Sequence, residues 1–531
     1  MCGSFLDGNR EIPRLPARWW CGPHREDQGH NPMMHGRGKS DRPVVPGKPS
    51  NNAGPSAAEG VEGRGLAKGN GAQQNTLRTQ SRMEGVPSAL DRVRQVAKRD
   101  RSARFTALLH HVTLERLRTA FLTLRRDAAP GVDGETWQHY AGEMEQRLQD
   151  LHERVHGGTY RAKPSRRVLI PKPDGRQRPL GIAALEDKIV QRAIVEVLNT
   201  IYEGDFVGFS YGFRPGRSPH HALDALATGI LRKKVNWVLD ADIRGFFDSI
   251  DHGWMMRFLE HRIADRRILR LIQKWLNAGV VEQGRRSKTE WGTPQGATFS
   301  PLLANVYLHY VFDLWADDWR KRDACGDVVI VRFADDVVVG FQLRSDAERF
   351  QEALRERFAK FHLELHPEKT RLVEFGRFAA ARRHARKLGK PETFSFLGFT
   401  HICARSNAGW FLLQRKTMRI RMRAKLKAVK AELIRRRHLS VPEQGAWLGS
   451  VVRGHLAYYA VPTNVQALGV FRREAARHWR RALSRRSQRG HVRWDRMARL
   501  EERWLPPARI QHPWPEARFD VWTRGRSPVR E

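Results

Sequence analysis

The chain has 531 residues, enough for two or three domains, and its 95 Lys and Arg against 57 Asp and Glu leave a net charge of +38. That excess goes beyond what solubility asks for and points to a polyanionic partner, nucleic acid foremost. A hydrophobic content of 40% excludes global disorder, and no uninterrupted run of about 18 apolar residues exists to span a bilayer, since Asn305, His309 and Asp313 break the nearest one at 302–315.

Residues 1–85 are rich in Gly, Pro, Ser, Asn and charge, with no period that could bury a face, and read as a disordered arm. Trp19 and Trp20 within it are either a docking element or unstructured. No secretion-signal order is present, and Cys2, Cys21, Cys325 and Cys403 form no CxxC pair. A reducing cytoplasm without a structural zinc module is expected. A helical extension is expected over 86–165, with a turn at 127–134 followed by one helix carrying Tyr140, Met144, Leu148, Leu151 and Val155 on a single face. At 166–182, "RRVLI", Pro173-Asp174-Gly175 and "RPLGI" read as a hairpin with basic residues about its turn. Three hydrophobic segments then end in polar chemistry, at 237–251, 291–308 and 328–341. Beyond about Gln414 the chain is helical and very basic up to the Pro506-Pro507 break.

The runs 328–332 and 337–341 are β-rich and flank Phe333-Ala334-Asp335-Asp336, so a hairpin would carry two adjacent carboxylates at its tip. Like charges that close repel, and Mg²⁺ is the usual neutraliser where phosphates complete its shell. The alternative is a plain Asx-rich turn. In "WVLDADIRGFFDSIDH" a buried-looking strand runs into Asp242. Phe247 follows Asp242 by five positions, whereas Asp240 has Gly245 at that offset, which makes Asp242 the better ligand. Asp240, Asp248 and Asp251 read as strand-end or turn carboxylates. One carboxylate leaving a strand plus a pair on a neighbouring hairpin suits two-metal phosphoryl transfer.

Together "IPKPDGRQRPLGI", "SYGFRPGRSPHHAL", "DADIRGFFDSIDH", "GTPQGATFSPLLANVYL", "RFADDVVV", "LHPEKTRL" and "FSFLGF" resemble, in order and spacing, the blocks of the group II intron-encoded reverse transcriptase/maturase family, over roughly 86–515. The resemblance implies an α+β right-hand polymerase fold. Fingers and palm, the palm with an antiparallel sheet, would occupy 166–400, and a helical thumb with a mostly helical, basic maturase domain 401–515, before a tail at 516–531. It also implies two Mg²⁺ ions, with Mn²⁺ as a substitute, held by Asp242, Asp335, Asp336 and the carbonyl of Ile243.

By the same resemblance Lys172 and Arg178 grip the incoming triphosphate, which a point charge and a bidentate fork suit chemically. Phe247 lies under the sugar and excludes a 2′-hydroxyl, Gln295 packs on the nucleotide beside Gly296, and Lys369 donates a proton to the leaving pyrophosphate. Phe396, Leu397, Gly398 and Phe399 match the primer grip. Each motif has a structural alternative: a solvated basic hairpin, a core ring, a helix-start salt bridge, a buried hairpin. Two departures from the family stand out. Phe333 replaces the usual Tyr, and Ala297 replaces a common Gly and is expected to restrict that backbone, with fidelity or rate affected.

Residues 415–437 hold eleven Lys or Arg and one acid, Glu432, with Met418, Met422, Leu426, Val429 and Leu433 at helical spacing. Arg415, Lys416, Arg419, Arg423 and Lys427, and further on Arg480, Arg481, Arg485 and Arg486, are the expected RNA contacts. Tyr458 and Tyr459 are read equally as core. No Cys/His-rich module follows Trp514, so no His-Asn-His endonuclease is expected. The resemblance implies an RNA-directed DNA polymerase of the bacterial cytoplasm or nucleoid, away from membranes, that copies intron RNA and assists splicing and retrohoming. Its partners would be intron RNA, RNA template, DNA primer or target, and deoxynucleoside triphosphates; oligomeric state is left open. The alternatives are a splicing-only RNA-binding maturase and a reverse transcriptase recruited to a role such as phage defence.

Overall fold

A computed structural model describes residues 89–171, 177–282, 284–287, 291–486 and 490–523, with backbone alone for Pro171 and Arg178. The expected arm at 1–85, Lys172 and the tip of the basic hairpin lie outside the described residues.

The chain opens with helices α1 (Ala89–Arg99), α2 (Leu114–Leu122), α3 (Trp137–Gly142) and α4 (Met144–His156). The single helix expected around Tyr140 and Met144 is in fact two. Glu143 leaves helical geometry at φ −125° and ψ 32°, directly after Gly142, and Thr136 caps α3 by accepting from the His139 amide. The apolar face nevertheless survives, with Tyr140, Leu148, Leu151 and Val155 buried. After α1 the chain extends, and Phe105 bridges to Ile263 in place of a longer helix.

Strands β1 (Ser165–Pro171) and β2 (Gln177–Ile182) form the expected antiparallel hairpin, with Ile170 opposite Arg178. Helices α5 (Leu185–Asp205) and α6 (Pro219–Arg232) lead into β3 (Trp237–Asp242), then α7 (His252–Glu260), α8 (Arg266–Leu276) and the three-residue strands β4 (Val280–Glu282) and β5 (Arg285–Ser287). The first sheet has the order β2-β1-β4-β5. Helix α9 (Ser300–Leu308) is buried at every position but Pro301, which explains its nearly uniform apolarity. A π-helical turn, His309–Asp313, joins it to α10 (Leu314–Arg322).

The central sheet pairs β6 (Val328–Phe333), β7 (Asp336–Phe341), β3 and β8 (Arg371–Glu374) in the order β6-β7-β3-β8, all antiparallel. Leu239, Ala241, Ile330, Val337 and Val339 face one core, while Val238, Val329, Val331, Val338 and Val373 face another. Covered on both faces, these strands read as continuous apolar runs. Helix α11 (Arg344–Ala359) packs on the first face and α6 on the second.

After α12 (Ala379–Ala385), a third sheet orders β11 (Phe411–Thr417), β10 (Phe399–Arg405) and β9 (Phe394–Phe396). Helices α13 (Arg419–Arg435), α14 (Val441–Tyr459), α15 (Val465–Ser484) and α16 (Trp494–Trp504) follow. Helix formation thus begins just after β11, a few residues later than expected. The segment read as a tail contributes α17 (Pro515–Thr523), which docks on α6: Arg232 pairs with Asp520 at 2.7 Å, and Trp522 stacks on His221 at 4.7 Å. The architecture is the mixed helix-and-sheet one expected of a polymerase right hand. Among the described residues no helix is long and apolar enough to cross a membrane.

Candidate active site

Strands β3 and β7 are nonlocal partners, and their register places Asp242 directly opposite Asp336 at the ends of both strands. Side chains two apart share a sheet face, so Asp240, Asp242 and Asp336 lie on one face, and Asp335 occupies the turn beside them. The turn is tight because Ala334 adopts a left-handed φ of 56°. Burial pushes the Asp240 carboxyl up to about 7, a shift that Asp336 and Asp242 reinforce and Arg371 opposes. Lys369 places its ammonium 2.7 Å from Asp242 Oδ2. The Asp242 carbonyl accepts from the His366 amide at 2.8 Å, and the buried Ile243 makes an isolated bridge to Leu365.

Oxygen donors alone, carboxylates and one nearby carbonyl, are the donor set of a hard divalent cation, and the register sets two of those carboxylates, Asp242 and Asp336, directly opposite each other. Among the described residues no three His, Cys, Asp or Glu side chains are gathered closely enough to hold a metal ion. The site fits such an ion by chemistry, with Lys369 as the cation already bonded there.

Phe247 lies half-buried in a short 3₁₀ turn, its ring edge-on to Phe246 at 5.3 Å. The loop at 291–297 closes over it: Thr293 donates to the Phe247 carbonyl at 2.7 Å, and Gln295 Nε2 lies 3.4 Å from Asp248 Oδ2. That approach needs glycine at 292, where φ is 84° and a Cβ would sit 2.9 Å from the Phe247 carbonyl oxygen. On its other side the loop meets the basic hairpin, the Gly181 amide donating to the Gln295 carbonyl at 2.7 Å. Arg178 stands on β2 of that hairpin. Gly296 has φ 107°, while Ala297 is buried and is not among the left-handed residues. Asp251 caps α7 by accepting from the Trp254 amide at 2.7 Å, a structural role as expected.

Beneath the carboxylate turn lies a buried polar network that sequence reasoning missed. Arg332 makes two bonds to Asp313, at 2.6 and 2.5 Å, and others to Asn305 Oδ1, the Ala334 carbonyl and Ser210 Oγ at 3.0, 3.0 and 2.7 Å. Gly212 touches the same turn, and a Cβ there would fall 2.2 Å from the Ala334 nitrogen. The signal was present in "VVIVRF": a lone arginine inside a buried strand requires a buried acid.

The Leu397-Gly398 turn joins β9 to β10 with both residues left-handed, at φ 46° and 84°. Phe396 and Phe399 are core side chains, Gly398 is buried against Tyr459, and Leu397 is partly exposed. Tyr458 donates to the Leu397 carbonyl at 2.7 Å, and the Gly398 carbonyl accepts from the Met418 amide at 3.0 Å.

Lys416, Arg419, Arg423 and Lys427 form an exposed stripe where β11 runs into α13, while Val429 and Leu433 are buried. Arg415 is a correction: it is 1% exposed, with Nη1 3.1 Å from Asp224 Oδ1, because its side chain alternates inward from β11. Arg480 is likewise engaged within the fold, stacked 4.1 Å over Trp494 and donating to the Val492 carbonyl. Arg481, Arg485 and Arg486 are exposed, Arg486 bonding the Leu439 carbonyl. Glu432, the one acid of the stretch, pairs with Arg435 and Arg436.

The family described as reverse transcriptase (RNA-dependent DNA polymerase) matches residues 170–401. The chain is similar to Protein YkfC of Escherichia coli K12, 36% identical over 238 residues, 43% of this chain and 62% of YkfC. It is similar to the group II intron-encoded protein LtrA of Lactococcus lactis subsp. cremoris, 40% identical over 169 residues, 32% of this chain and 28% of LtrA. A shorter match joins it to nuclear intron maturase 1, mitochondrial, of Arabidopsis thaliana, 29% identical over 111 residues, 21% of this chain and 15% of that protein. The chain therefore spans less than two thirds of each of these relatives.

Proposed function

We propose that the chain is a group II intron-encoded reverse transcriptase that copies intron RNA into DNA from a primer 3′-hydroxyl, and assists splicing and retrohoming of that RNA; the matching reverse transcriptase family and the similarity to LtrA support this reading. The observation that carries the polymerase reading is the register of β3 and β7, which sets Asp242 against Asp336 beside the Asp335 turn.

In this reading Asp242, Asp335 and Asp336, with the Ile243 carbonyl, hold the divalent cations. When bound, these lower the pKa of the primer hydroxyl and offset charge on the triphosphate, Mg²⁺ being the proposed ion. Lys369 holds a proton at Nζ for the leaving pyrophosphate, from a position already bonded to Asp242. Phe247 sits under the sugar and selects deoxynucleotides, and Gln295, fixed between Asp248 and the β2 strand, positions the nucleotide. Lys172 and Arg178 bind its phosphates, and the Leu397-Gly398 turn holds the primer end. Lys416, Arg419, Arg423 and Lys427, with Arg481, Arg485 and Arg486, contact RNA phosphates.

A second reading, an RNA-binding splicing cofactor without polymerase activity, is favoured by one observation: Lys369 already pairs with Asp242 at 2.7 Å, on a carboxylate that a divalent cation would need. Primer extension on an RNA template with Mg²⁺ and deoxynucleotides separates the two. Extension is the expected result; none from folded, RNA-binding protein would favour the cofactor.

A further inference from the structure

Away from the carboxylates, a cleft of about 360 Å³ opens between the C-terminal half of α8, the segment entering β1 and the edge strand β5. Arg161, Arg270, Lys274 and Arg286 line it, together with Gln273 and Asn277. No carboxylate is among its described lining residues.

Four like charges around one concavity repel unless an anion joins them. Lys274 stands in the last turn of α8, where a cation complements the helix dipole. That benefit does not reach Arg270 in mid-helix, or Arg161 and Arg286, which come from other elements, so helix electrostatics leave three of the four cations unexplained. The walls are also fixed in place. Lys274 Nζ donates to the carbonyls of Tyr160 and Gly158 at 2.6 and 3.3 Å, and Arg286 Nη2 to that of Ala278 at 3.3 Å. Behind them Trp275 Nε1 bonds Tyr160 Oη at 3.0 Å, and Tyr160 in turn bonds the buried Asp187. Anchored in this way, Lys274 and Arg286 give up less side-chain freedom on binding.

We propose that this cleft seats the phosphodiester backbone of folded RNA, as an anchoring site separate from the polymerase centre and from the basic stripe on α13. Guanidinium forks match phosphate oxygens. No aromatic ring is among the described lining residues to stack a base, so recognition is of backbone and is independent of sequence. Its volume is larger than a lone phosphate needs and its charges come from three separate elements, which suits phosphates presented along a chain. The proposal rests on the reading that the chain binds RNA.

The test measures binding of the full chain to a labelled hairpin RNA of arbitrary sequence across a salt series. It compares wild type with Arg270→Ala/Arg286→Ala, both exposed positions. At roughly 0.7–0.9 per lost phosphate contact, the slope of log affinity against log salt should fall by roughly 1.4–1.8 in the double variant. Arg322→Ala/Arg355→Ala removes the same charge from exposed, ion-paired positions elsewhere and should leave the slope in place. An unchanged slope in the cleft variant, or an equal fall in both variants, would overturn the proposal. Thermal stabilisation of wild type by inorganic phosphate, with an unchanged slope in the cleft variant, would assign the cleft to the free anion and overturn it too. Extension of a short primer–template should match wild type in the cleft variant. A wild type unable to extend at all would count against the polymerase reading and leave the slope comparison intact.

Discussion

Arg332 and Asp313 form an ion pair with no solvent exposure on either side chain, Nε to Oδ1 at 2.6 Å and Nη2 to Oδ2 at 2.5 Å. Asp313 reaches it from the π-helical turn between α9 and α10, and a fourth Arg332 bond holds the Ala334 carbonyl one residue before Asp335. The pair therefore couples the helical core to the carboxylate turn.

Breaking such a pair strands a buried charge. Arg332→Met is expected to lose about 3–5 kcal/mol of stability and to stop primer extension. Arg332→Met with Asp313→Leu removes both charges and should recover most of the stability, while extension stays impaired because the turn has lost its clamp. Denaturant unfolding and extension assays on both variants check this; full activity in the double variant would reduce the pair to a stability element.

Lys369 is the cation that the structure places on Asp242. Lys369→Met is expected to lower the maximal extension rate by about 10²-fold or more, through loss of a positioned proton donor, and to leave RNA affinity unchanged. The Mg²⁺ concentration for half-maximal rate should fall as well, since a competing cation has gone. A magnesium titration of extension reads both effects, and a wild-type rate would remove Lys369 from the chemistry.

The hairpin carrying Asp335 and Asp336 was legible because two β-branched runs flank it closely in sequence, and Asp242 because a hydrophobic run ends on it. That Asp242 meets Asp336 in register was not, since β3 and β7 are far apart in the chain and strand pairing at that distance leaves no local signal. Arg415 shows the other limit. Within a basic stretch, charge density cannot say which side chain a strand turns inward, and only the Asp224 contact from α6 does. The helix break at Glu143 was hidden by an apolar period that continues through it. Gly212 and Gly292 owe their need for glycine to tertiary contacts that no local pattern announces.

His401 lies in β10, fully buried, stacked 4.7 Å from Phe394 and opposite Arg415 in register. Burial, with Arg415 nearby, pushes its imidazole down to about 3 from an ordinary 6.5. The unfolded chain therefore binds the extra proton below pH 6.5, so the stability that neutral His401 carries is complete above that pH and drains away as pH falls toward 3. His401→Phe should gain on wild type by about 1.4 kcal/mol per pH unit below 6.5, with no widening above it. Denaturant unfolding at several pH values checks this, and parallel stability curves would contradict it.

The most direct test of the polymerase centre compares wild type with Asp335→Ala in primer extension on an RNA template, with RNA affinity measured on the same preparations. Extension should disappear in the variant while RNA affinity is nearly unchanged, because the carboxylate turn and the basic stripe on α13 are separate parts of the fold. Extension at the wild-type level in Asp335→Ala, or loss of RNA binding together with extension, would contradict it.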